Sequence, residues 1–126
     1  MRLFNKDPKI SLPDYETAPG KKIFENLLFG PTLKCSFNPK IDRQKVIKKM
    51  RVGDPVALRP ANVGYAETFI VIDAKTGLDI GEVSPGTYEY IWEHFPKHTK
   101  FVGRVKEIWT DKGYREVKIE YRAYWE

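Results

Sequence analysis

A strict alternation of apolar and polar residues near the end of the chain is the clearest pattern in this sequence. Between residues 116 and 125, one set of alternate positions holds Val117, Ile119, Tyr121, Ala123 and Trp125, and the other holds Lys118, Glu120, Arg122 and Tyr124. A period of two is typical of an antiparallel strand with one buried face. The pattern predicts such a strand here, after a strand over residues 100–109 and a hairpin turn over residues 110–113.

Residues 52–83 alternate between apolar runs and polar or turn-forming stretches. Apolar runs bounded by Gly, Pro and Asn are typical of strands. Gly tolerates the positive φ that a tight turn needs, and Gly77 follows Lys75 and Thr76. The stretch therefore predicts a strand around Val56 and Leu58, a polar crossing over residues 59–68, a strand over residues 69–72, a turn over residues 75–77 and a strand over residues 80–83.

Capping residues indicate two short helices. Asp42 is a good N-cap for a helix over residues 43–50, which would turn its apolar residues to the core and its lysines to solvent. Ser84 followed by Pro85 marks the start of a second helix, and Pro96 ends it.

These elements predict a mainly β fold. We expect a small OB-like or SH3-like antiparallel β-barrel of five to six strands with two short helices, since closure removes exposed strand edges. Residues 31–126 would form this domain, with residues 32–37 as its first strand. Residues 1–30 would be an N-terminal arm, partly irregular and packed on the barrel or on a second chain, or else a partly disordered tail. The apolar run 22–29 is too short to distinguish a strand from a helical turn.

Composition limits the class of protein. A length of 126 residues suits one domain, and the single cysteine, Cys35, excludes an internal disulfide. The sequence shows neither a signal peptide nor an apolar run long enough to span a membrane, so we expect a cytoplasmic protein. The net charge of +5 favours a polyanionic partner, although ordinary soluble domains reach the same charge.

The candidate catalytic and metal-binding residues do not form a recognisable constellation. Pro96 lies between His94 and His98 and interrupts the helical face that two metal-binding histidines would share. Cys35 lies in an alternating run and is expected to be a core residue. The acidic residues near the central strands have turn and surface positions. We therefore predict a protein that is not an enzyme and that has no cofactor or metal.

Arg59, Asn62 and Tyr65 fall in the polar crossing, where a barrel commonly carries its ligand. In a binding loop, Tyr65 would stack on an unpaired base and Arg59 would follow the phosphates. In the structural alternative, Asn62 supplies turn geometry and Tyr65 caps the barrel. The residues alone leave both interpretations open.

The chain resembles the HIRAN domain, a small β-barrel module found alone in bacteria and fused to SNF2-type helicases in eukaryotes. The resemblance covers residues 34–108 and departs from the family pattern at Gly64, Ala66 and Thr68, where the family has Pro, Asp and Asn. It is carried by Gly53, Asp54, Val56, Leu58, Asn62, Tyr65 and Ile70, and then by Leu78, Asp79, Ile80, Gly81, Glu82 and Val83.

HIRAN domains bind single-stranded DNA, so the resemblance implies a single-stranded DNA partner, with RNA as the alternative. Tyr65 matches the family tyrosine that stacks near the terminal nucleotide. Ala66 replaces the aspartate that holds the terminal hydroxyl, and alanine cannot accept that hydrogen bond, which argues against capture of a 3′ end. The residues expected to bind nucleic acid are Lys34, Phe37, Lys40, Arg59, Asn62 and Tyr65.

A protein-interaction or homo-oligomerisation module is the alternative function. Aromatic residues and arginine are enriched in the cores of protein interfaces. The final strand, over residues 117–125, would form that interface. The aromatic residues that suggest it are Trp109, Tyr114, Tyr121, Tyr124 and Trp125.

Overall fold

The structure, a computed structural model, describes Leu12, Tyr15 and residues 22–31, 42–63 and 66–124. Within these residues, six strands form one antiparallel sheet in the order β1-β6-β5-β2-β3-β4, accompanied by two helices. The predicted mainly β fold is therefore confirmed. The elements are β1 (Lys22–Leu27), α1 (Arg43–Ile47), β2 (Pro55–Val63), β3 (Ala66–Asp73), β4 (Asp79–Glu82), α2 (Pro85–His94), β5 (Lys100–Asp111) and β6 (Tyr114–Tyr124).

The sheet of the described residues is not closed into a barrel, so the OB-like or SH3-like barrel stays a prediction. Its two edges approach at one antiparallel bridge between Phe29, two residues after β1, and Glu82 of β4. Their N–H groups donate to each other's carbonyl oxygens at 2.8 and 3.0 Å. Gly81 permits this approach, because a Cβ there would lie 3.0 Å from the carbonyl oxygen of Phe29. The sheet thus curls until its edges touch at a single point.

The predicted alternation in the last strand is confirmed over the described part of β6. Val117, Ile119, Tyr121 and Ala123 are buried and face the main core, whereas Trp125 lies outside the described residues. β1 pairs with β6 along its whole length, which shows that residues 22–27 form a strand rather than a helical turn.

Both predicted N-caps are present. The Asp42 carboxylate accepts a hydrogen bond from the N–H of Gln44 at 3.0 Å, and Ser84 Oγ accepts from the N–H of Thr87 at 3.2 Å. The first helix is shorter than predicted, because α1 ends at Ile47 and the residues after it form turns. The second ends before Pro96, as predicted.

The predicted polar crossing over residues 59–68 is wrong. β2 continues to Val63 and β3 begins at Ala66, and the two pair antiparallel without a register shift. Arg59, Asn62 and Glu67 occupy exposed positions of a long hairpin instead of a loop, and Thr68 is buried. The predicted turn after it is confirmed, since Gly77 has a φ of 79° and its N–H donates to the carbonyl of Asp73 at 2.8 Å. The predicted strand over residues 32–37 lies outside the described residues.

Arg43, the first residue of α1, is 1% exposed and joins three parts of the chain. Its Nε and Nη2 donate to Asp79 Oδ2 at 3.0 and 2.8 Å, and Nη2 also donates to Glu82 Oε2 at 3.3 Å. Its Nη1 donates to the carbonyl of Gly30 at 2.9 Å. The guanidinium group thereby fastens α1 to β4 and to the residues that follow β1.

Gln44 adds a neutral link from α1 to β6. Its Nε2 donates to the carbonyls of Pro31 and Arg115 at 2.9 and 3.0 Å, and its Oε1 accepts from the N–H of Arg115 at 2.9 Å. The amide side chain thus satisfies both backbone groups of Arg115, as a neighbouring strand would.

Replacing Arg43 by alanine should strongly destabilise the fold, because Asp79 would keep a buried charge without its main cation. We expect the Arg43→Ala variant to lose about 3–5 kcal/mol of unfolding free energy. Urea denaturation followed by circular dichroism measures this. Lys45→Ala, an exposed position on the same helix, is the control and should change the free energy by less than about 0.5 kcal/mol. Equal effects of the two variants would contradict this role for Arg43.

Because Tyr121 is buried, we predict that the folded protein loses part of its stability at alkaline pH. The burial raises the pKa of Tyr121, whose hydroxyl donates to the side-chain oxygen of Asn26. The stabilisation from the neutral phenol is therefore complete below about pH 10 and is lost as the pH rises further. The difference in unfolding free energy between the protein and Tyr121→Phe should narrow between about pH 9 and about pH 11. A constant difference in urea denaturation would refute this.

Candidate nucleic-acid interface

A cleft opens where β2 and β5 diverge. The two strands pair only through Pro55 opposite Arg104 and Val56 opposite Gly103. They approach closely there, because a Cβ on Gly103 would lie 2.9 Å from Val56 Cγ2. Beyond this point the strands separate and leave a cavity of about 400 Å³. That volume is within the range of small-ligand sites.

Apolar and aromatic side chains form most of the cleft wall. The rings of Phe69, Trp92 and Phe101 pack on one another, with centroid separations of 5.7 Å for Phe69–Trp92, 5.1 Å for Phe69–Phe101 and 6.3 Å for Trp92–Phe101. Trp92 is half-buried and is held by these neighbours. Its ring is therefore positioned before any ligand arrives. The lining residues are Leu12, Leu58, Pro60, Phe69, Trp92, Thr99, Lys100, Phe101 and Tyr124.

Two exposed lysines lie at the cleft. Lys100 is one of the lining residues, and Lys97 Nζ lies 5.2 Å from the ring centroid of Trp92. Lys97 belongs to the turn after α2, in which the N–H of Thr99 donates to the carbonyl of Pro96 at 3.0 Å, and Lys100 is the first residue of β5. Aromatic rings beside lysines are the combination that stacks unpaired bases and neutralises their phosphates.

The structure does not bring the predicted Arg59 and Asn62 together. Both are exposed on β2, three residues apart, and the register is unbroken from Arg59 opposite Ile70 to Asn62 opposite Glu67. Strand side chains alternate between faces, so these two lie on opposite faces of the sheet. Asn62 shares a face with Leu58 and Pro60 of the cleft wall. The predicted residues Lys34, Phe37, Lys40 and Tyr65 lie outside the described residues.

Sequence reasoning missed the cleft residues. Trp92 recurs at helical spacing and Phe101 falls within a predicted strand, so neither stands out in the sequence as a binding residue. A usable signal was the placement of Lys97 and Lys100 within eight residues of Trp92. The cleft itself depends on the divergence of β2 from β5, a long-range feature that no local pattern shows.

The acidic residues near the central strands serve the fold. Asp73 accepts hydrogen bonds from the N–H of Lys75 at 3.1 Å and from the hydroxyl of Thr76 at 2.9 Å, and so shapes the turn. Asp79 and Glu82 bind Arg43. In the described ranges, no three His, Cys, Asp or Glu side chains are grouped as a metal site would require.

His94, the last residue of α2, interacts with its own helix. His94 Nδ1 lies 2.9 Å from the carbonyl oxygen of Tyr90, and the two rings stack with centroids 4.2 Å apart. His98 lies exposed in the turn beyond Pro96. Proline between the two histidines interrupts the helix, as the sequence indicated.

Comparison with family models, curated proteins and solved structures finds no match to this chain. Among the helices of the described residues, none has the length and apolar character needed to cross a membrane.

Proposed function

We propose that this protein is a non-enzymatic, HIRAN-like module that binds single-stranded DNA, with RNA as the alternative strand. The observation that carries the proposal is the aromatic cleft between β2 and β5, with Lys100 in its lining and Lys97 beside the ring of Trp92. Trp92 would stack on an unpaired base, and the two lysines would contact the phosphates next to it. The net charge of +5 favours the approach of a polyanion.

The size of the cleft favours a single strand over a duplex. A cavity of about 400 Å³ accommodates one base. The bases of a duplex cannot enter such a site, because they are stacked and paired inside the helix. Asn62 lies on the same face of β2 as Leu58 and Pro60 of the cleft wall. It would therefore contact the same nucleic-acid strand. Ala66 offers no acceptor for a terminal hydroxyl, and we therefore expect internal and terminal bases to bind alike.

Binding of a fluorescent oligothymidylate, followed by anisotropy over a salt series, tests the proposal. Trp92→Ala should weaken binding by about 1–3 kcal/mol, the contribution of one base stacked on an aromatic ring. Trp92→Phe should retain most of the affinity, because a smaller ring still stacks. Thermal unfolding of both variants shows whether the core is intact.

Matched charge variants locate the phosphate contacts. Lys100→Gln should reduce the salt slope by about 0.7, the value for one lost phosphate contact on a single strand. Lys49→Gln removes the same charge from an exposed position in the turn after α1 and should leave the slope unchanged. A salt-independent signal, tighter binding to duplex, or equal effects of both lysine variants would overturn the proposal.

A second candidate function, a protein-interaction module, is favoured by exposed apolar residues on the face of the β5–β6 hairpin away from the main core. Trp109, Tyr114 and Leu27 are 38%, 51% and 45% exposed, respectively. Trp109 and Tyr114 lie on one face because they pair with Glu116 and Asp111, and Leu27 continues that face on β1. The buried ring of Tyr121 belongs to the fold and is not available to a partner.

Analytical ultracentrifugation tests the second function. If this face joins two copies of the chain, the protein sediments as a dimer, and Trp109→Ser raises its dissociation constant by at least about tenfold, as for an interface hot spot. Tyr90→Ser, at an exposed aromatic position on α2, is the control and should leave the dimer intact. A monomer at every concentration would exclude self-association through this face.

A further inference from the structure

Tyr15 packs against two arginines on the outer face of the β5–β6 hairpin, the face away from the main core. The Cζ atoms of Arg104 and Arg122 lie 4.0 and 4.9 Å from the centroid of its ring. The two arginines are diagonal neighbours, because Arg104 pairs with Glu120 and Val102 with Arg122. Tyr15 also packs on Val102 and is only 8% exposed.

This outer face leads directly to the cleft. The next pair along the hairpin is Lys100 opposite Tyr124, and both line the cleft. Leu12 and Tyr124 both pack against the cluster of Tyr15 and Val102, and both line the cleft. A cationic side chain thus recurs on each successive row, about 7 Å apart, from the cleft to the ring of Tyr15.

The two arginines contact the ring of Tyr15, and its hydroxyl group takes no part in this contact. Arginine side chains stack on aromatic rings, and they stack on nucleobases in the same way. The Tyr15 hydroxyl is buried and has no hydrogen-bond partner among the described residues. A buried hydroxyl without a partner weakens the contact that contains it. The position is therefore one that another planar ring could take from Tyr15.

We propose that Arg104 and Arg122 form a second base-stacking position of the nucleic-acid surface, and that Tyr15 occupies it when no strand is bound. This inference rests on the proposed function. A strand seated in the cleft continues along Lys100 to Arg122 and Arg104, and one of its bases takes the place of the Tyr15 ring. Tyr15 is then an intramolecular competitor that lowers the affinity of the protein for a single strand.

Two substitutions of Tyr15 separate the ring from the hydroxyl. With fluorescent oligothymidylate as the probe, Tyr15→Ala should bind at least about fivefold tighter than the unmodified protein, the effect of roughly one freed stacking position. Its salt slope should equal that of the unmodified protein, because the bound strand makes the same phosphate contacts in both complexes. Tyr15→Phe should bind no tighter than the unmodified protein, because the ring still occupies the position and no longer carries an unpaired buried hydroxyl. Adding Arg122→Gln to Tyr15→Ala should remove the gain.

The outcomes distinguish this inference from the proposed function. If the unmodified protein binds the oligonucleotide and Tyr15→Ala binds no tighter than Tyr15→Phe, the inference fails and the proposed function stands. If none of the three proteins binds at low salt, both fail. Weaker binding by Tyr15→Ala would make Tyr15 part of the binding surface and would also overturn the inference.

An independent measurement on the unmodified protein covers the case in which Tyr15→Ala unfolds. The ring proton resonances of Tyr15, shifted by its buried position, should move towards free-tyrosine values when the oligonucleotide saturates the protein. Unchanged resonances at saturation would show that the ring stays in place, and the inference would then be rejected.

Discussion

The arrangement of the sheet depends on one buried cation. A guanidinium group taken out of water is costly unless it is paired and hydrogen-bonded, and Arg43 meets both conditions through Asp79, Glu82 and the carbonyl of Gly30. These partners come from the two edges of the sheet, so the same group that satisfies Arg43 also brings the edges together. The curl is therefore fixed at this end, near the β5–β6 turn, and β2 and β5 separate at the opposite end.

The separation of β2 and β5 gives the protein its candidate site. Gly103 allows one close contact with Val56, and beyond it rings from α2, β3 and β5 line the gap where strand pairing stops. Because Phe69, Trp92 and Phe101 support each other, the cleft is shaped by core packing and does not depend on a loop. A rigid aromatic wall loses little conformational entropy when it binds a base.

Local chemistry was predictable from the sequence, and long-range geometry was not. The caps at Asp42 and Ser84 and the alternation of β6 depend on neighbouring residues, and all three are present. Arg43 had no distinguishing local signal, since it is one more basic residue in a basic helix whose acidic partners lie 36 and 39 positions away. Residues 59–68 have a polar composition that suits a loop, yet pairing across the hairpin makes most of them strand. The cleft required knowing which strands diverge, which depends on the whole topology.

The pairing of β1 with β6 has a consequence for how the chain acquires its structure. Lys22 lies opposite Ala123, so β1 finds its partner only after all the other described strands have been synthesised. Joining such distant segments costs chain entropy before the contacts between them can stabilise the structure. This cost slows folding. During synthesis, the hydrophobic residues of β1 remain without their sheet neighbour until β6 leaves the ribosome. Until then, the nascent chain exposes an unpaired, aggregation-prone segment.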